Sequence, residues 1–384
     1  MFSDYLKPVS TVALAHLVLH PELSLGHTLK IHSKEEGLPE IKGGEIVIIG
    51  VNEDRNALNN LGTGEGLEKI RKEFYQLFPG NWHKTIVDFG NLEKGKDIQD
   101  TYFALKEMAT YLLKKNVILI ILGGGNDLVY PNYRAYDALE QSVNLVSIDS
   151  KFDLGKLDDD MSSETYLHKI IMEKPNNLLN FSNIGFQTFF NSQDEINLIN
   201  SLYFEAYRLG EVSQNITVTE PVLRDADIVS LDMGAIKYSE AKANNNASPN
   251  GLTGVEACTL ARYAGLSDKV SSFGIYEYNA KLDKNLQSAK LIAQLIWYFI
   301  EGANFRTNDY PFESKEKYKK YIVPLEEYNI NFYKSPKSDR WWMEVLVNNN
   351  PQKTTLIPCT YQDYLEACNQ NIPNRWFSAH KKLN

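Results

Sequence analysis

Short apolar runs rich in β-branched residues recur along this chain, and helical patterns separate them. "EIVIIGV" (45–51), "KTIVDFG" (84–90), "VILIILGGG" (117–125), "VNLVSIDS" (143–150), "NIGFQTFF" (183–190), "ADIVSLDMG" (226–234) and "VSSFGIYEYN" (270–279) read as strands. Between them lie amphipathic stretches such as "GLEKIRKEFYQLF" (66–78) and "TYFALKEMATYLLKK" (101–115). Strands that carry apolar side chains on both faces, alternating with helices, commit the chain to an α/β fold: a mainly parallel sheet between two helical layers, α/β/α. No internal repeat is visible.

The pattern changes after "SAKLIAQLIWYFIEG" (288–302), a long helix with an apolar face. Three of the five tryptophans, Trp341, Trp342 and Trp376, lie beyond it. "NFYKSPKSDRWWMEVLV" (331–347) reads as a β-hairpin around a polar, proline-containing turn. The division expected is an N-terminal extension (1–44), an α/β domain (45–302) and an aromatic-rich C-terminal addition (303–384). Its tryptophans are expected to pack on the main domain, and the region around them is a candidate surface for a protein partner or self-association.

A formal net charge of −9 argues against a nucleic-acid partner, and "SKEKYKKY" (314–321) reads as a solvated helix face within an acidic whole. Cys258, Cys359 and Cys368 show no CxxC spacing and form no disulfide framework, which fits a reducing compartment; the expected location is cytoplasmic. "STVALAHLVLH" (10–20) is interrupted by histidines and lacks a cleavage motif, so it is not read as a signal peptide. No apolar run reaches the length that membrane insertion requires.

Ligands of open parallel sheets bind at the carboxyl ends of strands. Those ends carry Gly123, Gly124, Gly125, Asn126 and Asp127, then Asp149, Lys151 and Asp153, then Asp232, and then Glu277. Each taken singly reads as a turn residue or helix cap; together they predict one acidic pocket. In "NLVSIDSKFDLG" (144–155), extended chain would place Asp149, Lys151 and Asp153 on one face at steps of roughly 6 to 7 Å. Neither "GGGND" nor "GTGEG" (62–66) has dinucleotide-fold spacing or a P-loop lysine. His16 and His20 have helical spacing but no third zinc ligand, and His168 reads as structural.

The order of these motifs resembles the ureohydrolase superfamily of arginase, agmatinase and formimidoylglutamase, with the formimidoylglutamase-like branch nearest. The resemblance spans about residues 45 to 302. "LGGGND" stands where the family has a GGDH-type turn, "IDSKFD" where it has D-A-H-x-D, and "SLDMG" where it has S-x-D-x-D. "IIGVNEDRNALNNLGTGEGLEKIR", "GLTGVE" with Glu256, and "IYEYN" with Glu277 match further signatures. The resemblance implies an arginase-like three-layer fold and, in active members, two manganese ions that activate a water for attack on a guanidinium or amidine carbon.

On that alignment Asp149, Asp153 and Asp232 keep ligand positions. Asn126 stands at the first histidine, Lys151 at the second, and Gly234 at the second aspartate of S-x-D-x-D. A protonated lysine offers no lone pair and repels a dication, so no metal cofactor is expected and the Lys151 ammonium is expected to neutralise the flanking acids. The leading expectation is a non-catalytic relative, a pseudoenzyme acting as a binding or scaffold component. A formimidoylglutamase-type hydrolase of carbon–nitrogen bonds, with manganese, is the alternative. A small-molecule sensor using the remnant acidic pocket is the third.

Overall fold

The computed structural model describes residues 2–156, 159–309, 314–326 and 329–384. Two short N-terminal strands, β1 (Leu6–Lys7) and β2 (Lys30–Ile31), precede β3 (Ile46–Asn52), β4 (Ile86–Glu93) and β5 (Ile118–Leu122). Then come β6 (Val143–Ile148), β7 (Leu178–Phe186), β8 (Glu205–Arg208), β9 (Ile228–Asp232) and β10 (Ser272–Tyr276). These ten form one sheet in the order β1-β4-β3-β5-β10-β9-β6-β7-β8, with β2 also paired to β4. Every pairing is parallel except β1 with β4. The N-terminal segment is thus built into the edge of the main sheet.

Side-chain alternation divides the core in two. Ile46, Ile48, Ile118 and Ile120 point into one apolar layer, while Val47, Ile49, Leu119 and Ile121 point into the other. Each such side chain contributes roughly 1.5–3 kcal/mol when fully buried, which explains why strands apolar on both faces are held between helices. The helix Ile98–Lys114 starts at a capping box of Asp97 and Asp100, and the helix Gly254–Leu266 starts at one formed by Thr253 and Glu256. Glu256 is therefore a helix cap. Helix Gln287–Asn304 crosses Gly254–Leu266 closely: a Cβ on Gly265 would meet the Phe299 carbonyl oxygen at 2.2 Å.

The C-terminal addition is larger than a hairpin. The strands β11 (Lys319–Pro324), β12 (Asn329–Lys334), β13 (Trp341–Val347) and β14 (Asn350–Cys359) form a separate antiparallel sheet, followed by the helices Tyr361–Cys368 and Asn374–Leu383. The expected pair around the proline turn is β12 with β13. "SKEKYKKY" forms a turn and the start of β11, so the helix expected there is replaced by a strand. Alternating tyrosines fit a pleated, half-buried surface as well as a helix face. The strand expected at 183–190 lies earlier, at Leu178–Phe186, because Gln187 and the residues after it turn away.

Trp341, Trp342 and Trp376 are buried. Trp342 stacks under the Arg224 guanidinium of the α/β domain, with the charge 4.7 Å from the ring centroid. Arg224 also donates to the carbonyls of Trp341 at 3.2 Å and Cys359 at 3.1 Å, and Arg375 pairs with Glu205 of β8 at 3.0 Å. The addition docks at the amino ends of β6 to β10, where Asn144, Asn180, Glu205, Asp225 and Lys269 meet it.

Candidate functional site: a carboxylate cluster at the strand ends

At the opposite, carboxyl ends of the strands, the predicted residues converge. Strand β5 ends in Gly123 and Gly124, with φ of +85° and +78°, conformations that glycine adopts without strain. A Cβ on Gly124 would also lie 2.6 Å from the Glu53 carbonyl oxygen. This tight turn drives Asn126 into the interior. Its backbone N–H donates to Glu277 Oε1 at 2.9 Å, and its side-chain Nδ2 donates to Asp153 Oδ2 at 2.9 Å and Asp149 Oδ2 at 3.3 Å. Asn126 Oδ1 is buried without a hydrogen-bond partner.

Strand β6 stops at Ile148, so Asp149, Lys151 and Asp153 lie on a loop and the extended alternation expected of them does not occur. Asp153 has a φ of +55°, which turns its carboxylate back toward Asp149. Lys151 goes elsewhere. Its Nζ pairs with Glu164 at 2.5 Å, its only ion pair among the described residues, while its backbone N–H donates to Asp149 Oδ1 at 3.0 Å. The Lys151 ammonium is thus displaced from between the aspartates onto Glu164, while its charge still favours the ionised forms of Asp149 and Asp153 from a distance. The Asn126 amide occupies that place, and the lysine stem instead reaches the partly exposed Glu164.

Asp232, at the end of β9, accepts from Gly234 N at 2.6 Å and from Asn244 Nδ2 at 3.5 Å. Glu277, just past β10, adopts a φ of +64° and accepts from Asn60 Nδ2 at 2.7 Å. Asp127 faces away from the cluster and accepts from Tyr102 OH at 2.5 Å. Burial raises all four cluster acids, and Asp149 raises Asp153 and Asp232 further by like-charge repulsion. Glu277 is pushed up to about 7, chiefly by burial, and so is Asp127. Carboxylates this close and this dry retain protons that water would remove.

Asparagine side chains that the sequence did not single out close the cluster. Asn60 Oδ1 accepts from Asn245 N at 3.2 Å and from Asn279 Nδ2 at 3.1 Å. Asn245 Nδ2 reaches the Asn59 carbonyl at 3.0 Å, and Asn246 Nδ2 the Leu58 carbonyl at 3.1 Å. The loops around residues 56–62 and 243–250 are thereby latched over Glu277. Asn126, Asp149, Asp153 and Glu277 are each exposed by 5% or less.

Part of the ligand set that the family resemblance implies is present in these residues. Oxygen ligands remain at Asp149, Asp153 and Asp232, but the described residues bring no imidazole to them, and Gly234 contributes only its backbone. An N–H of Asn126, with no lone pair, faces the two nearest carboxylates. Among the described residues, no group of three or more histidine, cysteine, aspartate and glutamate side chains has metal-holding geometry. No helix among them is long and apolar enough to cross a membrane.

Residues 44–301 match the sequence pattern of the Arginase family. The chain is similar to formimidoylglutamase of Staphylococcus aureus strain MRSA252, 29% identical over 272 residues that cover 67% of this chain and 86% of that protein. In three dimensions it is similar to Trypanosoma cruzi formiminoglutamase with Mn2+, with a TM-score of 0.65 and 20% identity over 74% of this chain and 99% of that one. It also resembles formimidoylglutamase of Bacillus subtilis, with a TM-score of 0.66 and 17% identity over 74% and 92%. The chain belongs to the arginase family, on its formimidoylglutamase-like branch.

Proposed function

We propose that this protein is a non-hydrolysing member of the arginase family that serves as a binding or scaffold component. One observation carries the reading: the Asn126 amide is hydrogen-bonded between Asp149 and Asp153, where a metal pair would need lone pairs. Without a metal, nothing in the cluster lowers the pKa of water to supply a nucleophile, and buried acids held protonated are poor bases for the purpose. The asparagine latch over Glu277 adds a closed entrance. The described part of the C-terminal element, with Ile322 and Tyr361 exposed above the buried tryptophans, is the surface offered to a protein partner or a second copy. The free cysteines suit the cytoplasm.

The test is metal analysis of native protein together with formamide release from N-formimidoyl-glutamate. The reading expects substoichiometric manganese and no turnover. Stoichiometric metal with turnover overturns it.

A second reading, a formimidoylglutamase-type hydrolase with manganese, is favoured by the orphaned Asn126 Oδ1. A half-turn of that amide would present an oxygen donor beside Asp149 and Asp153. The same two measurements separate the readings. A small-molecule sensor, the third, predicts a thermal shift with a guanidino or amidine compound that Asp232→Ala reduces.

A further inference from the structure

At the end of the sheet away from the carboxylate cluster, the C-terminal addition encloses a cavity of about 270 Å³ against the α/β domain. This is close to the lower end of ligand-sized pockets and suits a molecule of about ten heavy atoms. Its walls are of two kinds. Leu179, Val347, Ile357 and Leu383 supply apolar surface, whereas Lys269, Arg375 and Lys382 face Glu205 and Asp225.

The charges in this lining are unequally matched. Arg375 pairs with Glu205 at 3.0 Å and lies 3.9 Å from Asp225, and Lys269 pairs with Asp225 at 3.0 Å. Glu205 is also held by Tyr207 and Asn180. Lys382 Nζ donates to the neutral amide oxygen of Asn180 and packs 5.2 Å from the Phe204 ring centroid; among the described residues no carboxylate forms an ion pair with it. Lys269 also lies 3.9 Å from Asp227, so Lys382 is the lining cation without an ion pair of its own among the described residues. A cation removed from water is costly, and burial pushes this amine down to about 8 against the pull of the nearby Glu205 carboxylate.

We propose that this cavity binds a small monocarboxylic acid, its carboxylate held by Lys382 and the adjacent Arg375 and its apolar body lying among Leu179, Val347 and Ile357. A monoanion would supply the ion pair that Lys382, bonded to a neutral amide, lacks. Both the family domain and the addition supply lining residues, so the ligand joins the two. This site stands apart from the carboxylate cluster and does not depend on whether that cluster hydrolyses anything.

The test is isothermal calorimetry and thermal denaturation of the full chain with hexanoate and benzoate, against hexanamide as the neutral isostere. Hexanoate is expected to bind saturably in the millimolar range or tighter and to raise the unfolding midpoint. Hexanamide is expected to do neither. Lys382→Met should weaken hexanoate by about tenfold or more, the loss of one charge-assisted contact of about 1.4 kcal/mol. Ala379→Phe, which fills the cavity without touching a charge, should block it as well. Equal binding of acid and amide, undiminished binding to Lys382→Met, or the absence of saturable binding by either acid to the wild type overturns the proposal. The comparison of acid with amide on unmodified protein decides the matter even where a variant fails to fold.

Discussion

Asn126 Nδ2 lies 2.9 Å from Asp153 Oδ2, so a neutral amide donates where the family alignment places an imidazole acceptor. That one contact links the sequence departure to the inner electrostatics of the cluster. It ties the loop after β6, where Asp153 has a φ of +55°, to the turn after β5.

Asn126→Ala removes both donors from a dry carboxylate pair. The expected cost is about 2–3 kcal/mol, the price of leaving buried acceptors unsatisfied. Denaturant titration measures it; a loss within about 0.5 kcal/mol, typical of surface changes, would mean the amide contributes little.

Restoring Asn126→His, Lys151→His and Gly234→Asp together is expected to create a manganese site readable by elemental analysis. Space is tight but present at the last position: a Cβ on Gly234 would lie 3.0 Å from Asp232 Oδ1 and 3.3 Å from Asn244 Nδ2, and both are side-chain atoms that can shift. A folded triple variant that takes up no metal would refute the alignment of the three positions.

Asn60 joins the two loops over Glu277. Asn60→Ala should accelerate amide hydrogen exchange at residues 56–62 and 243–250 while leaving β3 and β5 protected, since the latch is local and the strands are core. Unchanged exchange in both loops would show that other contacts hold them.

Lys382 gives a pH signature. Its amine falls from 10.5 to about 8 on folding, chiefly through burial. The unfolded chain then binds the proton more tightly, so this group opposes folding below about pH 8, and the opposition fades as pH rises toward the unfolded value. Lys382→Met should therefore stabilise most at neutral pH, with the gap to wild type narrowing toward pH 10 or so. A gap independent of pH would assign the effect to packing alone.

The sheet was legible because its strands are apolar on both faces; β5, β6, β9 and β10 fall within the runs that periodicity marks, and β3 passes its run by one residue. Strand β8 (EAYR) escaped, since four residues that include two charged side chains carry no periodic signal. Asp149, Asp153, Asp232 and Glu277 could be grouped because a parallel sheet brings strand ends together. Asn60 could not. Its partner Glu277 lies 217 residues away, and nothing local in "NALNNLG" distinguishes a latch from a turn. Lys151 misled for a related reason: spacing along the chain shows which acids are near in sequence, whereas Glu164 is brought to it by the loop's path. A signal did exist for Asn126, since an amide flanked by acids in space can serve as donor to both.

The helix Asn374–Leu383 lies against β8, the last strand of the large sheet, through Arg375 on Glu205 and Phe377 beside Tyr203. A terminal strand with free backbone groups is a template on which another chain can add itself. The appended element therefore caps the start of that strand, and a version of the protein cut after residue 302 is expected to unfold at lower denaturant, since Glu205 loses the Arg375 charge that offsets its burial.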